Sequence, residues 1–562
     1  MNVYHAHMIE KLRGHLAAIY GEEHAGPLAT EIAARVEISR TRLAATRIQL
    51  DPLGERDVIL ITYADQVTAP GEAPLTTLAD FLQQRIAPWL PAVHLLPFYP
   101  SSSDDGFSVI DYYRVDPAFG DWEDISRMGE KFALMFDAVF NHASVQGDWF
   151  RRFLAQEPGW EEAFFSVPGA PDLSSVVRPR THPVLTKMES AAGARQVWTT
   201  FSADQADINF SDPRMMLRLV DVLLFYIEQG ARFIRLDAIA FLWKVVGTSC
   251  IHLPETHRAV QLFRTIAEAV NPEIVIITET NVPHALNVSY FGDGTNEAHM
   301  VYNFALPPLV LHTLRTGSAA RLTTWAESLD FPGDKSTMFN FLASHDGIGV
   351  NPVRGILDPA EIDALVETTL AHGGRVSEKS NPDGSTSPYE LNINYYDALN
   401  GDSDTATAIN RHVAAHAILF AMRGVPGLYF HSLFGSRGDQ AGAEKTGIPR
   451  RINRQKLDRN HLDGQLDSAD SRESQIFERL REMLVTRSQL RAFHPTSQQS
   501  VLNLGDAVFA IVRGNEGEQV CCVINVSDNR VSVVLPERFL PRSADCVDLE
   551  AYQWQWISES AR

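Results

Sequence analysis

Cysteine is scarce in this chain. Cys250, Cys521, Cys522 and Cys546 are the whole set in 562 residues, and no two stand in a C-x-x-C spacing. That excludes a dithiol or zinc motif of this kind and fits a reducing compartment. Long apolar runs are also missing. No stretch approaches the roughly 20 residues that span a bilayer, and the N-terminus, MNVYHAHMIEKLRGHL, has no run long enough for a signal peptide. The expected location is cytoplasmic. Positive charge is in deficit, with 49 Lys and Arg against 70 Asp and Glu, a net charge of -21. Without a basic face, nucleic acid and anionic membranes are excluded as partners. The charge favours a soluble monomer or homodimer. Internal repeats of solenoid period and low-complexity tracts are absent.

What remains is a large α/β enzyme pattern. Hydrophobic residues make up 45% and charged residues 21%, a balance that supports a large core. Met8, Leu12, Leu16 and Ile19 recur at helical spacing. Gly21 and Gly26-Pro27 punctuate, and Leu28, Ile32 and Val36 mark a second helix. Residues 1–56 are therefore expected to form a helical cap. Eight short apolar strands follow, at Val58–Tyr63, Val93–Phe98, Ala133–Val139, Phe233–Leu236, Ile274–Thr278, Met300–Phe304, Met338–Leu342 and Gly427–Phe430. Interleaved with helices, they predict a (β/α)8 TIM barrel over residues 57–490. Two long gaps predict small inserted domains, at about 145–205 and about 350–420, on the barrel face that carries active sites. From 491 to 562 the texture turns β-rich, with turns at Gly514–Gly517 and Ser527–Asn529, and predicts a C-terminal β-domain.

Charged residues cluster at the ends of the predicted strands. Asp137 and Asn141-His142 end the third, Arg235 and Asp237 the fourth, Glu279 the fifth, and His345-Asp346 the seventh. A charge at an apolar strand end is costly unless paired or used, and four such ends on one rim resist a structural explanation. The chemistry fits retaining glycosyl transfer, which needs a nucleophilic carboxylate facing an acid/base carboxyl. Arg235 lies two residues before Asp237, so both point to the same side of the strand. The guanidinium keeps Asp237 ionised as the nucleophile. Glu279 needs a raised pKa to act as acid/base. Asp346 stabilises positive charge on the sugar ring. His142 and His345 suit sugar hydroxyls.

These four segments resemble the four motif regions of the α-amylase family, in order and on the expected strands. The stretches VHLLPFYPSSSDDGFSVIDYYRVDPAFGDWEDI, TTFSADQADINF, RLDAIAFLWKVVGTSC, FALPPLVLHTLRTG, SHDGIGV and INR resemble the sucrose phosphorylase subfamily, over roughly residues 58–490. The resemblance implies that Asp104 and Arg454 pair to close a glucose pocket walled by Phe107, Phe201 and Phe241. It sets Gln205 beside the leaving group and Arg180 and Tyr389 on loops that admit phosphate. It implies inorganic phosphate as co-substrate, no other cofactor and no metal. Asp137 and Asn141 resemble positions near calcium in some α-amylases.

The acceptor end departs from sucrose phosphorylases, which carry Gln where this chain has Glu390. Together with the N-terminal extension and the wording NPDGSTSPYELN, this resembles the glucosylglycerate phosphorylases. The implied reaction is reversible phosphorolysis of 2-O-α-glucosylglycerate to glucose 1-phosphate and glycerate, with Arg375, Lys379, His182 and Ser385 to Ser387 available for the glycerate carboxylate. The alternatives are phosphorolysis of sucrose, glucosylglycerol or sucrose 6-phosphate, a phosphate-independent α-glucosidase or transglucosylase, and a non-catalytic relative.

Overall fold

Eight parallel strands close into a barrel: β1 (Ile59–Thr62), β2 (Ala92–Leu95), β3 (Ala133–Ala138), β4 (Ala231–Leu236), β5 (Val275–Thr278), β6 (Met300–Tyr302), β7 (Thr337–Phe341) and β8 (Val425–Tyr429). The structure, a computed structural model, describes residues 3–45, 50–381, 383–403, 405–540 and 545–559. Pro382, within the NPDG stretch, lies outside them. Each strand pairs with its chain neighbours, and β8 returns to β1 through Ile59 opposite Gly427. All eight expected strands are present, with ends that differ by at most three residues. They read as continuous apolar runs because helices cover the barrel and side chains fill it.

The N-terminal helices α1 (Val3–Tyr20) and α2 (Glu22–Ala45) form a hairpin docked on the barrel. Tyr20 donates to the carbonyl of Phe210 at 2.7 Å, and Arg42 pairs with Glu228 at 3.0 Å. One expectation fails here. Gly26-Pro27 does not divide the segment, because α2 runs through it from Glu22. Pro27 lies close to the helix start, where few backbone bonds are lost. Burial of Ala25, Leu28, Ala29, Ile32 and Val36 outweighs that loss.

The long gaps hold compact insertions. Between β3 and β4 lie a helix (Asp148–Leu154) and a three-stranded sheet whose long hairpin is Leu185–Ser190 with Gly193–Trp198. Between β7 and β8 lie a helix (Pro359–Ala371) and a hairpin, Arg375–Ser380 with Thr386–Asn392. The C-terminal region is β-rich, with an antiparallel four-stranded sheet built from Gln499–Leu502, Val508–Arg513, Val520–Asn525 and Trp554–Ser558. Two buried arginines join it to the barrel. Arg513 donates to the carbonyl of Ala421 at 2.7 Å, and Arg487 donates to those of Phe420 at 3.2 Å and Phe493 at 3.1 Å.

Candidate active site

The floor of the site follows from strand register. β3 and β4 pair with Asp137 opposite Arg235, and the two side chains form an ion pair there. His94, on β2, reaches the other Asp137 oxygen at 2.7 Å. Arg235 Nη1 also donates to Asp237 at 2.8 Å, while Nη2 stands 3.8 Å from Glu279. Ala238 turns the chain into the left-handed region at φ 48°, which is costly for a residue with a Cβ. That turn aims its N–H at Glu279 Oε2, 2.8 Å away.

Burial pushes both Asp237 and Glu279 up to about 7, against the pull of Arg235. Arg235 therefore does not by itself hold Asp237 at an ordinary value, because Asp137 shares the same guanidinium. Two carboxyls in one site titrate as a pair. Arg235 lies nearer Asp237, so the shared proton belongs on Glu279.

Asp346 behaves oppositely. Burial would raise it, but Arg450, His345 and Arg454 hold it below the usual carboxylate range. Arg450 Nη1 lies 2.7 Å from Asp346, and its Nε and Nη2 each donate to Glu390 at 3.0 Å. Arg454 donates to Asp104 at 3.4 Å, and more closely to Asp105 at 2.6 Å. Asp104 and Asp105 both adopt left-handed backbone, with φ 50° and 49°.

The pocket above is lined by Asp104, Phe107, His142, Arg180, Phe201 and Gln205 on one side. Asp237, Ala238, Glu279, Asn281, His345, Asp346, Tyr389, Glu390 and Arg450 complete it. Phe107 stacks on His345, ring centroids 4.7 Å apart. His142 and Gln205 both reach the carbonyl of Phe107, at 2.9 and 3.1 Å. The Arg180 guanidinium lies 5.6 Å from the Phe201 and Tyr389 ring centroids. Arg235 and Arg454 sit beneath this lining. Phe241 stands behind Phe201 in an edge contact at 5.5 Å rather than in the wall itself. The acceptor candidates Arg375, Lys379, His182 and Ser385 to Ser387 do not line the pocket. His182 turns to the carbonyl of Thr199 and Lys379 to Asn351.

Comparison with known proteins places this geometry. The α-amylase catalytic domain family matches residues 90–348. A glucosylglycerate phosphorylase of Allomeiothermus silvanus is 48% identical over 97% of this chain and 97% of that protein. One from Escherichia coli is 44% identical over 93% and 94%. The chain belongs to the α-amylase family. Within it, the chain is a glycoside phosphorylase, a hexosyl-transferring enzyme. The fold of sucrose 6F-phosphate phosphorylase from Thermoanaerobacter thermosaccharolyticum superimposes with a TM-score of 0.75, at 24% identity, over 90% of this chain and all of that one.

Three charged residues that sequence reasoning did not single out belong to the site, Arg450 in the pocket lining and Asp105 and Lys244 outside it. Arg450 is one of three arginines in PRRINR, and sequence alone does not tell which of them lines the pocket. Asp105 sits beside Asp104 and is the nearer partner of Arg454. Lys244 is buried with its ammonium 2.9 Å from Asp207 and 3.0 Å from Asn141. The available signal was its place in the RLDAIAFLWKVVGTSC stretch, seven residues after Asp237.

Proposed function

We propose that this enzyme catalyses reversible phosphorolysis of 2-O-α-glucosylglycerate, giving α-glucose 1-phosphate and glycerate with retention. One observation carries the acceptor assignment: relatives that match nearly the whole chain at 44–48% identity are glucosylglycerate phosphorylases. Asp237, Glu279 and Asp346 line one pocket with a guanidinium, Arg180, that has no carboxylate partner among the described residues, which supports a phosphate-using reaction.

In the forward direction Glu279 gives its proton to the glycosidic oxygen while Asp237 attacks the anomeric carbon. The C–O bond to glycerate breaks, and a β-glucosyl ester of Asp237 forms. Asp346 stays ionised beside the ring and stabilises its positive charge. Glycerate departs and phosphate enters beside Arg180, which offers fixed donors to its oxygens. Phosphate oxygen then attacks the same carbon, Glu279 recovers the proton, and the ester bond to Asp237 breaks. Two inversions give net retention. Asp104 and Arg454 close the sugar end, and Phe107, with Phe201 backed by Phe241, forms its apolar wall.

The reading needs phosphate as co-substrate and no metal. The Lys244 ammonium between Asn141 and Asp207 supports this, since it already supplies a cation to those oxygens. Four unpaired cysteines are compatible with a cytoplasmic setting, and no helix among the described residues is long and apolar enough to cross a membrane. The test is to incubate glucosylglycerate with and without phosphate and follow the anomeric proton by NMR. Phosphate-dependent α-glucose 1-phosphate is expected. Free glucose released at a phosphate-independent rate would favour a hydrolase.

A further inference from the structure

The N-terminal hairpin does not close on the barrel along its whole length. A cleft of about 470 Å³ opens between them, a volume in the range of small-molecule sites. Met8 and Lys11 enter it from α1, and Arg264 and Glu268 from the helix Pro254–Val270. His299 and Lys335 come from the turns that lead into β6 and β7. The catalytic acids follow β4, β5 and β7 at the opposite ends of the strands, so the cleft shares no residue with the sugar pocket.

The chain has a net charge of -21, yet this lining is positive. Glu268 is its single carboxylate among the described residues, and its charge is already met. Arg264 Nε donates to it at 2.7 Å, and His299 Nε2 lies 3.2 Å away. Burial would raise the Glu268 carboxyl, but His299 and Arg264 pull it down to about 2. Lys11 and Lys335 make no ion pair among the described residues. Glu10, beside Lys11 in the chain, turns to Arg13 at 3.8 Å instead. Lys11, Lys335 and Arg264 against Glu268, three cations against one anion, leave two positive charges in excess. Such a concentration of one sign attracts an oppositely charged ligand. Met8, Ala269 and Pro272 give the cleft an apolar wall beside these charges.

We propose that this cleft is a second ligand site, which binds a small phosphate monoester across the joint between the N-terminal hairpin and the barrel. A phosphate monoester carries about two negative charges near pH 7, matching the excess. A monocarboxylate such as glycerate balances only half of it. Lysines serve such a group as point charges, and its carbon skeleton lies on the apolar wall. Lys11 belongs to the hairpin and Lys335 to the barrel, so one ligand between them ties the two together. The site therefore acts on how firmly the hairpin is docked, whichever glucoside the enzyme cleaves.

The test is calorimetric titration of glycerol 1-phosphate into the parent and into Lys11→Gln/Lys335→Gln. Binding in the sugar pocket is common to both proteins, so the difference between them reports the cleft. The variant is expected to lose one binding event per chain, its affinity there falling at least about tenfold. A hundredfold excess of ligand over Kd should raise Tm by roughly 2 °C more in the parent than in the variant. Both lysines are exposed, so their replacement leaves the fold intact. A control, Lys131→Gln/Lys187→Gln, removes two exposed lysines elsewhere and should bind like the parent. Identical isotherms for the parent and Lys11→Gln/Lys335→Gln overturn the inference, as does an equal loss in the control. Inorganic phosphate lacks the carbon skeleton and glycerate the second charge, so each should bind the cleft at least about fivefold more weakly. Equal affinity for either would overturn the ligand class.

Discussion

Replacing Glu279 with Gln should stabilise the protein at pH 8 and leave its stability unchanged at pH 4. Burial raises the Glu279 carboxyl from 4.5 to about 7 in the folded enzyme. A carboxyl whose folded pKa exceeds its unfolded value binds its proton more tightly when folded. Stability is therefore intact below the unfolded value, near pH 4, and is lost as pH rises toward 7. A shift of two to three units corresponds to about 3 kcal/mol. Asp237 shares the same proton, so the figure applies to the pair once. Unfolding entropy scales with length, and for a chain of this size 3 kcal/mol is roughly 2–3 °C in Tm. Glutamine has nothing to ionise and escapes the loss. Calorimetric scans of parent and variant at pH 4 and pH 8, at one scan rate, measure it. A rise in Tm confined to pH 8 is expected. An equal rise at both pH values, or a fall at pH 8, would refute the assignment of a shared proton to Glu279.

Four further outcomes follow from the site. Asp237→Asn should lower turnover at least about 10⁴-fold, because it removes the group that forms the glucosyl ester; rapid-quench assays for the ester check this. The profile of kcat/KM should be bell-shaped with its alkaline limb near pH 7, since Glu279 must carry a proton there. That limb should vanish for Glu279→Gln acting on α-glucosyl fluoride, whose leaving group needs no acid. Arg180→Gln should raise the phosphate KM roughly ten- to a hundredfold, the loss of about 1.5–3 kcal/mol of charged hydrogen bonding. Gly347→Ala should cost about 1–3 kcal/mol through overpacking against Glu390 and Leu391, seen as a lower denaturation midpoint.

The barrel was legible because its strands are apolar on both faces and its functional charges stand at their C-terminal ends. Arg235 and Asp237 at i and i+2 already implied a shared direction, and the structure joins them at 2.8 Å. The α2 boundary was misread because Pro27 is a strong local signal, and packing of α2 on the barrel overrides it. At the acceptor end Arg180, Tyr389 and Glu390 were legible from the resemblance and line the pocket, but the partner of Glu390 was not. Arg450 belongs to a loop after β8, and Glu390 to a hairpin after β7. Their two-pronged contact spans 60 positions, and no periodicity relates such segments. Arg375 and Lys379 were plausible by charge alone, yet they lie on the hairpin partner strand, away from the pocket lining.

The central claim concerns the acceptor, and one measurement addresses it most directly. The enzyme is given α-glucose 1-phosphate with glycerate, fructose, glycerol or fructose 6-phosphate in turn, and phosphate release is followed. Glycerate should support the fastest release, with 2-O-α-glucosylglycerate as the product. Fructose or another acceptor clearly outperforming glycerate would contradict the account.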